Sequence, residues 1–150
     1  MKKLIILIAL LFPVKAFSQK QDSILFRKAQ KVILKTNRTS AENFAMTGKA
    51  LVQSNFMISS KDKQFGQIIS EPIKIKWGQQ VIYVIVKDNE VVLSSKFKSD
   101  SKIQMASWIK SEPTYNPVAY SKNGETENIC FANMIAVAKL IGLGKIIYSE

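Results

Sequence analysis

Residues 81–98, with the sequence VIYVIVKDNEVVLSSKFK, decide the fold. Val81–Val86 is a run of β-branched and aromatic residues, which predicts a buried strand. Lys87–Glu90 contains Asp and Asn, which accept turn conformations at low cost, so it predicts a hairpin connection. Val91–Lys98 is expected to return antiparallel to the first strand. Val81–Val86 is the strongest strand signal in the chain.

Upstream of the hairpin, the sequence predicts a strand, a helix and further short strands. Lys31–Lys35 has the apolar, β-branched centre of a buried strand. Thr39 and Glu42 have the spacing of a capping box, and the helix that they open is expected to run to Gln53. The short strands are expected at residues 56–60, 65–69 and 73–77, and residues 78–80 are expected to turn the chain into the hairpin.

One face of the predicted helix carries apolar residues at helical spacing. Phe44, Gly48, Leu51 and Val52 recur three and four residues apart, which predicts that they face the core. A glycine in this setting costs about 1 kcal/mol relative to alanine. Gly48 therefore either marks a close approach of the helix to the sheet or is only tolerated.

Downstream of the hairpin, a second helix completes the predicted order. Residues 101–110 fit a short helix about as well as a strand, and the proline-containing segment Glu112–Glu127 predicts a loop. Ile129–Leu143 is the most apolar segment after residue 100, and its length and its Ala, Met and Leu content favour a buried helix that stops at Gly142. Ile146–Tyr148 is a candidate for a small extra strand.

These elements predict an α+β domain. We expect one antiparallel sheet of about four to six strands, with two main helices packed on one face, in the order β-α-β-β-β-β-α. A chain of 150 residues has the length of a single domain.

The order of elements resembles one half of the TATA-binding-protein fold, a layout that small secreted bacterial domains of unknown function share. The similar features are the helix passing into Asn55–Ile58, the Asp62-x-x-x-Gly66-x-Ile68 turn and the hairpin centred on Val84–Asp88. The resemblance extends over roughly residues 28–145 and departs from the pattern in the loop at 111–125. It implies a fold, and it carries over no catalytic residues.

The composition excludes several chemistries. The chain has no histidine and one cysteine, Cys130. It therefore cannot build a Ser-His-Asp or Cys-His nucleophile, an internal disulfide or a common zinc site. Cys130 is expected to be a small core residue, with an exposed thiol that pairs with a partner as the alternative. We expect no cofactor.

The first eighteen residues have the layout of a secretory signal peptide. A basic start is followed by an apolar run from Leu4 to Val14 and by small residues at Ala16 and Ser18. Cleavage is expected between Ser18 and Gln19, leaving residues 19–150 as a single exported domain, periplasmic or extracellular. A retained membrane anchor is the alternative, but eleven apolar residues span only about 16 Å.

The net charge of the chain is +11, and a strand-spaced set of lysines forms the first candidate site. Residues 73–77 alternate strictly between apolar and basic, and residues 96–98 repeat the pattern, so Lys74, Lys76, Lys96 and Lys98 are expected on one sheet face. Such a face would attract an anionic glycan or lipid, although lysines also simply solvate a sheet face and guard its edges. Because lysine predominates over arginine and the chain is expected to be exported, nucleic acid is not expected as a partner.

Tyr115 and Tyr120, in the predicted loop, form the second candidate site, because aromatic residues on a proline-braced loop can recognise a protein. The carboxylate pairs Glu125 with Glu127 and Asp88 with Glu90 leave a hydrolase as the enzymatic alternative. We therefore expect a non-catalytic binding domain that recognises a protein or an envelope component. The alternative is an assembly-accessory domain that contacts anionic glycan or lipid through the basic face.

Overall fold

The computed structural model of the protein describes residues 21–100, 114–142 and 144–150. The predicted signal peptide at 1–18, with its cleavage site, lies outside the described residues. The segment 101–110, which was predicted equally well as a helix or a strand, also lies outside the described residues. Among the described residues, neither helix combines the length and the apolarity that crossing a membrane requires.

The chain forms nine strands and two helices in the described ranges. In chain order they are β1 Gln21–Asp22, β2 Lys31–Lys35, α1 Ser40–Gln53, β3 Ile58–Asp62, β4 Gln67–Ser70, β5 Ile73–Ile75, β6 Gly78–Lys87, β7 Glu90–Ser99, β8 Asn116–Pro117, α2 Glu125–Ile141 and β9 Lys145–Ser149.

All strands belong to one antiparallel sheet in the order β1-β9-β2-β7-β6-β4-β3, with β5 also paired to β6 and β8 to β7. The predicted α+β class is confirmed. The predicted number of four to six strands is too low, because β9 adds a strand and because β1 and β8, each two residues long, were not predicted. Such short segments have no periodicity that a sequence could display. The predicted extra strand at the C-terminus is confirmed as β9, and it lies inside the sheet between β1 and β2.

The predicted hairpin is confirmed as β6 and β7, and the structure places it at the centre of the sheet. Its register runs from Gly78 opposite Ser99 to Lys87 opposite Glu90, so Asp88 and Asn89 form a two-residue turn. Asn89 adopts a φ of 59°, a left-handed conformation that Asn tolerates.

The connection into this hairpin differs from the prediction. β5 ends at Ile75, and the turn is Lys76–Trp77, because Ile75 pairs with Gly78 across a two-residue loop. Residues 78–80, predicted to turn, instead begin β6. A side chain at Gly78 would meet the Phe97 ring and the Lys98 carbonyl oxygen, so glycine allows β6 to start there.

Both helices pack on the inward face of the sheet and on each other. The inward residues of the strands meet those of the helices in one core, which contains the fully buried side chains of Leu34, Leu51, Leu93, Phe131 and Met134. Burying a side chain of this size stabilises the fold by about 1.5–3 kcal/mol.

Helix α1 begins as predicted but buries a different face. Thr39 Oγ1 accepts from the Glu42 amide at 3.3 Å, and a Glu42 carboxylate oxygen accepts from the Thr39 amide at 2.9 Å, which completes the capping box. The buried face contains Asn43, Thr47, Gly48, Ala50 and Leu51.

The predicted core stripe of α1 is therefore wrong in part. Phe44 is half-buried and Val52 is 50% exposed. Asn43 occupies the core instead, because its amide nitrogen donates to Thr36 Oγ1 and to the Lys87 carbonyl oxygen, both at 3.0 Å. Burial of a polar side chain costs little free energy when its hydrogen bonds are formed. These partners therefore favour an orientation of the helix that buries Asn43 and leaves Val52 exposed.

Helix α2 begins at Glu125, four residues before the predicted start, and ends at Ile141. Gly142, with a φ of 135°, terminates it as predicted. Arg38 donates to the Ile141 carbonyl oxygen at 2.8 Å, a favourable position for a cation at the negative end of a helix. Cys130 is fully buried, as predicted, and burial raises the pKa of its thiol to about 12, with the Glu127 carboxylate contributing.

Candidate functional site

The outer face of the sheet brings together three of the four predicted lysines. Lys74 and Lys98 both lie opposite Gln79, and Lys96 lies two residues along β7 on the same face. Antiparallel register therefore assembles Lys74, Lys96 and Lys98.

Lys76 is separated from this set, contrary to the prediction, because it lies in the turn between β5 and β6. Its ammonium donates to Glu125 Oε1 at 2.5 Å and lies 5.3 Å from the centre of the Trp77 ring. Lys76 thus connects the turn between β5 and β6 to the start of α2.

Two tyrosine rings join the three lysines. Lys96 Nζ lies 4.9 Å from the centre of the Tyr83 ring, and Lys98 Nζ lies 5.8 Å from that of Tyr115. Tyr115 donates its hydroxyl to Gln79 Oε1 at 3.0 Å, which holds the ring on the sheet. We call the three lysines with Tyr83 and Tyr115 the basic patch. Within the described part of the chain, its lysines have no ion-pair partner.

Tyr120 does not reach the basic patch. Its ring packs edge-to-face against Phe131 of α2, with centroids 5.6 Å apart, on the opposite side of the sheet. Its backbone exchanges hydrogen bonds with Lys28 and Ala29 at 2.9 and 2.7 Å. Tyr115 and Tyr120 were predicted to share one surface, but the structure gives Tyr120 a packing role.

A groove of about 750 Å³ runs along α1, beside β3 and the turn between β3 and β4. Its floor includes Phe44, Gly48 and Val52, and its rim includes Lys49, Lys61 and Lys63. We call it the α1–β3 groove. None of the three rim lysines has an ion-pair partner in the described ranges. The groove therefore combines an apolar floor with uncompensated positive charge.

Strand β3 forms one wall of the groove and the last strand of the sheet. It pairs with β4 on one side, and no other described strand pairs with it. A shift of register between Ile58 and Ser60 marks a β-bulge. The bulge lets Ile58 and Lys61, an odd number of residues apart, both face α1, where each lies within 4.0 Å of the Cβ position of Gly48.

The sequence did not predict this groove, because the residues of its floor, Phe44, Gly48 and Val52, have the helical spacing expected of core residues. One signal could have indicated it: α1 carries two neighbouring stripes, Asn43-Thr47-Leu51 and Phe44-Gly48-Val52, at the same spacing. The core-facing side of a helix is about 100° wide, so burial centred on the first stripe leaves Phe44 and Val52 of the second at its border.

Three of the four carboxylates considered for acid–base chemistry, Asp88, Glu90 and Glu125, have structural partners. Asp88 Oδ1 accepts from the Ser40 amide at the start of α1 at 2.6 Å, and Glu90 pairs with Lys35. Hydrogen bonds from Lys76 and then Trp77 lower the pKa of Glu125. Among the described residues, no cluster of three or more Cys, Asp or Glu side chains could hold a metal ion.

No family model matches the chain, and no curated protein matches it. Among solved structures, the chain is similar to a DUF4468 family protein from Bacteroides ovatus. The two are 12% identical, with a TM-score of 0.44, over 79% of this chain and 88% of that chain. The function proposed below rests on the geometry of the chain's own residues.

Proposed function

We propose that this protein is an exported, non-catalytic binding domain that recognises a segment of another envelope protein in the α1–β3 groove. The observation that carries the proposal is a groove of about 750 Å³ with an apolar floor beside unpaired lysines. This volume lies within the range of about 300–1,000 Å³ that is typical of binding pockets.

The size of the groove suits a polymer segment. Its lining residues on α1 run from Ser40 to Gln53, which at 1.5 Å per residue corresponds to about 20 Å. Exposed apolar surface of this kind, rimmed by polar groups, is typical of interaction sites.

The absence of catalytic activity is also part of the proposal. A general acid of the glycosidase type needs a carboxyl group with a raised pKa. Two carboxyl groups, those of Glu42 and Glu125, have a pKa below the ordinary value, because each carboxylate accepts hydrogen bonds. With no histidine in the chain, the groove offers lysines and apolar side chains, a set suited to binding.

Blocking the groove is expected to abolish capture of the partner. Gly48→Leu places a side chain in the groove floor without a backbone clash, because the nearest atoms to the Cβ position are side-chain atoms at 3.6–4.0 Å. We expect a protein retained from an envelope extract by the purified wild type at moderate salt to be lost with Gly48→Leu and with Val52→Glu, as measured by quantitative mass spectrometry.

The matched control is Ala136→Leu, which adds the same side chain at an exposed position of α2, outside the groove. It is expected to retain the partner as the wild type does. Equal retention by the wild type and by both groove variants would contradict the proposed function.

The basic patch supports a second candidate function, the binding of anionic glycan or lipid. Three lysines without described ion-pair partners and two tyrosine rings lie on one sheet face. Binding of this kind is screened by salt. In the same experiment, capture of glycan or lipid at low salt alone, sensitive to Lys96→Glu and not to Gly48→Leu, would favour this function.

Export is expected to leave Gln19 as the first residue of the protein. The basic start, the apolar run and the small residues before Ser18 support this proposal. N-terminal sequencing of the protein recovered from the envelope fraction of a bacterial host is the measurement. An intact Met1 in that fraction would contradict cleavage and favour the retained anchor.

The resemblance to one half of the TATA-binding-protein fold stays a prediction. The order of α1, the short strands and the β6–β7 hairpin supports it, while β1, β8 and β9 add to the predicted order. Superposing an experimental structure of this protein on that fold would test it.

A further inference from the structure

We propose that the partner segment binds in an extended conformation, as an additional strand on the outer edge of β3, and that it is acidic. This inference rests on the proposed function, because it describes how the α1–β3 groove holds a protein segment. The occupant is thus an extended acidic segment of another protein.

The backbone of β3 is free, among the described strands, to pair with an additional strand. Because no described strand pairs with its outer edge, that edge presents N–H and C=O groups with no strand partner. Its last four residues, from Ser59 to Asp62, are exposed. A strand added at this edge would form the same main-chain hydrogen bonds that β4 forms at the other.

The second argument is the match between the spacing of the groove floor and that of a strand. Phe44, Gly48 and Val52 recur every four residues, which corresponds to about 6 Å along a helix. Side chains on one face of a strand recur every two residues, which corresponds to about 6.6 Å. Successive inward side chains of an added strand would therefore meet successive turns of α1, and about six residues would fill the groove.

The third argument is charge, which selects the partner. Lys49, Lys61 and Lys63 rim the groove, and the bulge in β3 turns Lys61 toward α1. Acidic side chains of an added strand would meet these ammonium groups. A second copy of this chain would bring two sets of these groove lysines together, with Asp62 as the one acidic residue of β3, which disfavours self-pairing.

The test uses random ten-residue peptides displayed on phage, selected on the immobilised wild-type protein. We expect the enriched peptides to alternate apolar residues with others and to be rich in Asp and Glu. Two N-methylated versions of each peptide are synthesised, one methylated on the odd-numbered amides and one on the even-numbered amides. One of the two versions should bind the protein at least about tenfold more weakly than the parent peptide, because only one set of amides faces β3.

Charge reversal provides the second measurement. The double variant Lys61→Glu/Lys63→Glu is expected to raise the Kd of the selected peptides by at least about tenfold, as measured by fluorescence anisotropy. Lys122→Glu/Lys139→Glu, the same change of charge at exposed positions outside the groove, should leave it within about twofold.

The inference is overturned if no peptide is enriched, if both N-methylated sets bind as well as the parent peptides, or if the enriched peptides bind as helices by circular dichroism. Should groove-dependent capture of an envelope protein persist in any of these cases, the proposed function stands and strand addition alone fails. If capture does not respond to Gly48→Leu or to Val52→Glu, the proposed function itself fails.

Discussion

Replacing Gln80 with leucine is expected to lower the free energy of unfolding by about 2–4 kcal/mol, because each buried polar group left without its partner costs about 1–3 kcal/mol. Gln80 is fully buried. Its amide nitrogen donates to Ser95 Oγ and to the Cys130 carbonyl oxygen, both at 3.0 Å, and its amide oxygen accepts from Asn133 at 2.7 Å. The leucine side chain would remove all three hydrogen bonds, which join β6 to β7 and to α2.

Urea denaturation followed by circular dichroism is the measurement for Gln80→Leu, with Gln79→Leu as the matched control. Gln79 is the neighbouring residue on the opposite face of β6, half-buried, with one hydrogen bond from Tyr115. The control should cost less than about 1 kcal/mol, since partly exposed groups can bond to water instead. Equal losses for the two variants would show that the buried amide does not stabilise the packing of α2 on the sheet.

Replacing Gly66 with alanine is expected to lower the free energy of unfolding by about 2–4 kcal/mol, from left-handed backbone strain together with a backbone clash. Gly66 has a φ of 61°, and its carbonyl oxygen accepts from the Val86 amide at 2.7 Å. An added Cβ would collide with the Val86 carbonyl oxygen, which is main chain and cannot move aside without disturbing β6.

Gly48→Ala is the matched control for Gly66→Ala, because the same substitution is expected to have the opposite sign there. Gly48 lies inside α1, where the Cβ position meets only side-chain atoms at ordinary contact distances. Alanine at this helical site is expected to stabilise the protein by about 0.5–1 kcal/mol. Thermal unfolding of both variants measures the contrast, and a stabilised Gly66→Ala protein would contradict the close approach of the β3–β4 turn to β6.

The parts of the fold that were predictable are those set by neighbours in sequence. The Asp88–Asn89 turn, the capping box of Thr39 with Glu42 and the helix end at Gly142 all depend on contacts within a few residues. Lys31–Lys35 was predictable as a strand because its apolar centre is buried on both faces.

The candidate sites were predictable only in part. Lys74, Lys96 and Lys98 share a face because strand alternation and antiparallel register place them there. Lys76 does not share this face, because Ile75 pairs with Gly78 and the strand ends before Lys76. Tyr115 lies beside the lysines because its hydroxyl donates a hydrogen bond to Gln79. The positions of Lys76 and Tyr115 thus depend on strand and hydrogen-bond partners that the sequence around each residue does not identify.

By itself, the sequence determined that this protein is an α+β domain with a long hairpin, a capped helix, no histidine and no internal disulfide. The tertiary structure alone decided which stripe of α1 is buried, that β9 lies inside the sheet, and that β3 forms its edge. The physical reason is the separation in sequence between the residues that contact each other. Turns and caps form between residues a few positions apart, whereas the burial of Asn43 depends on the Lys87 carbonyl oxygen, 44 residues away in the chain.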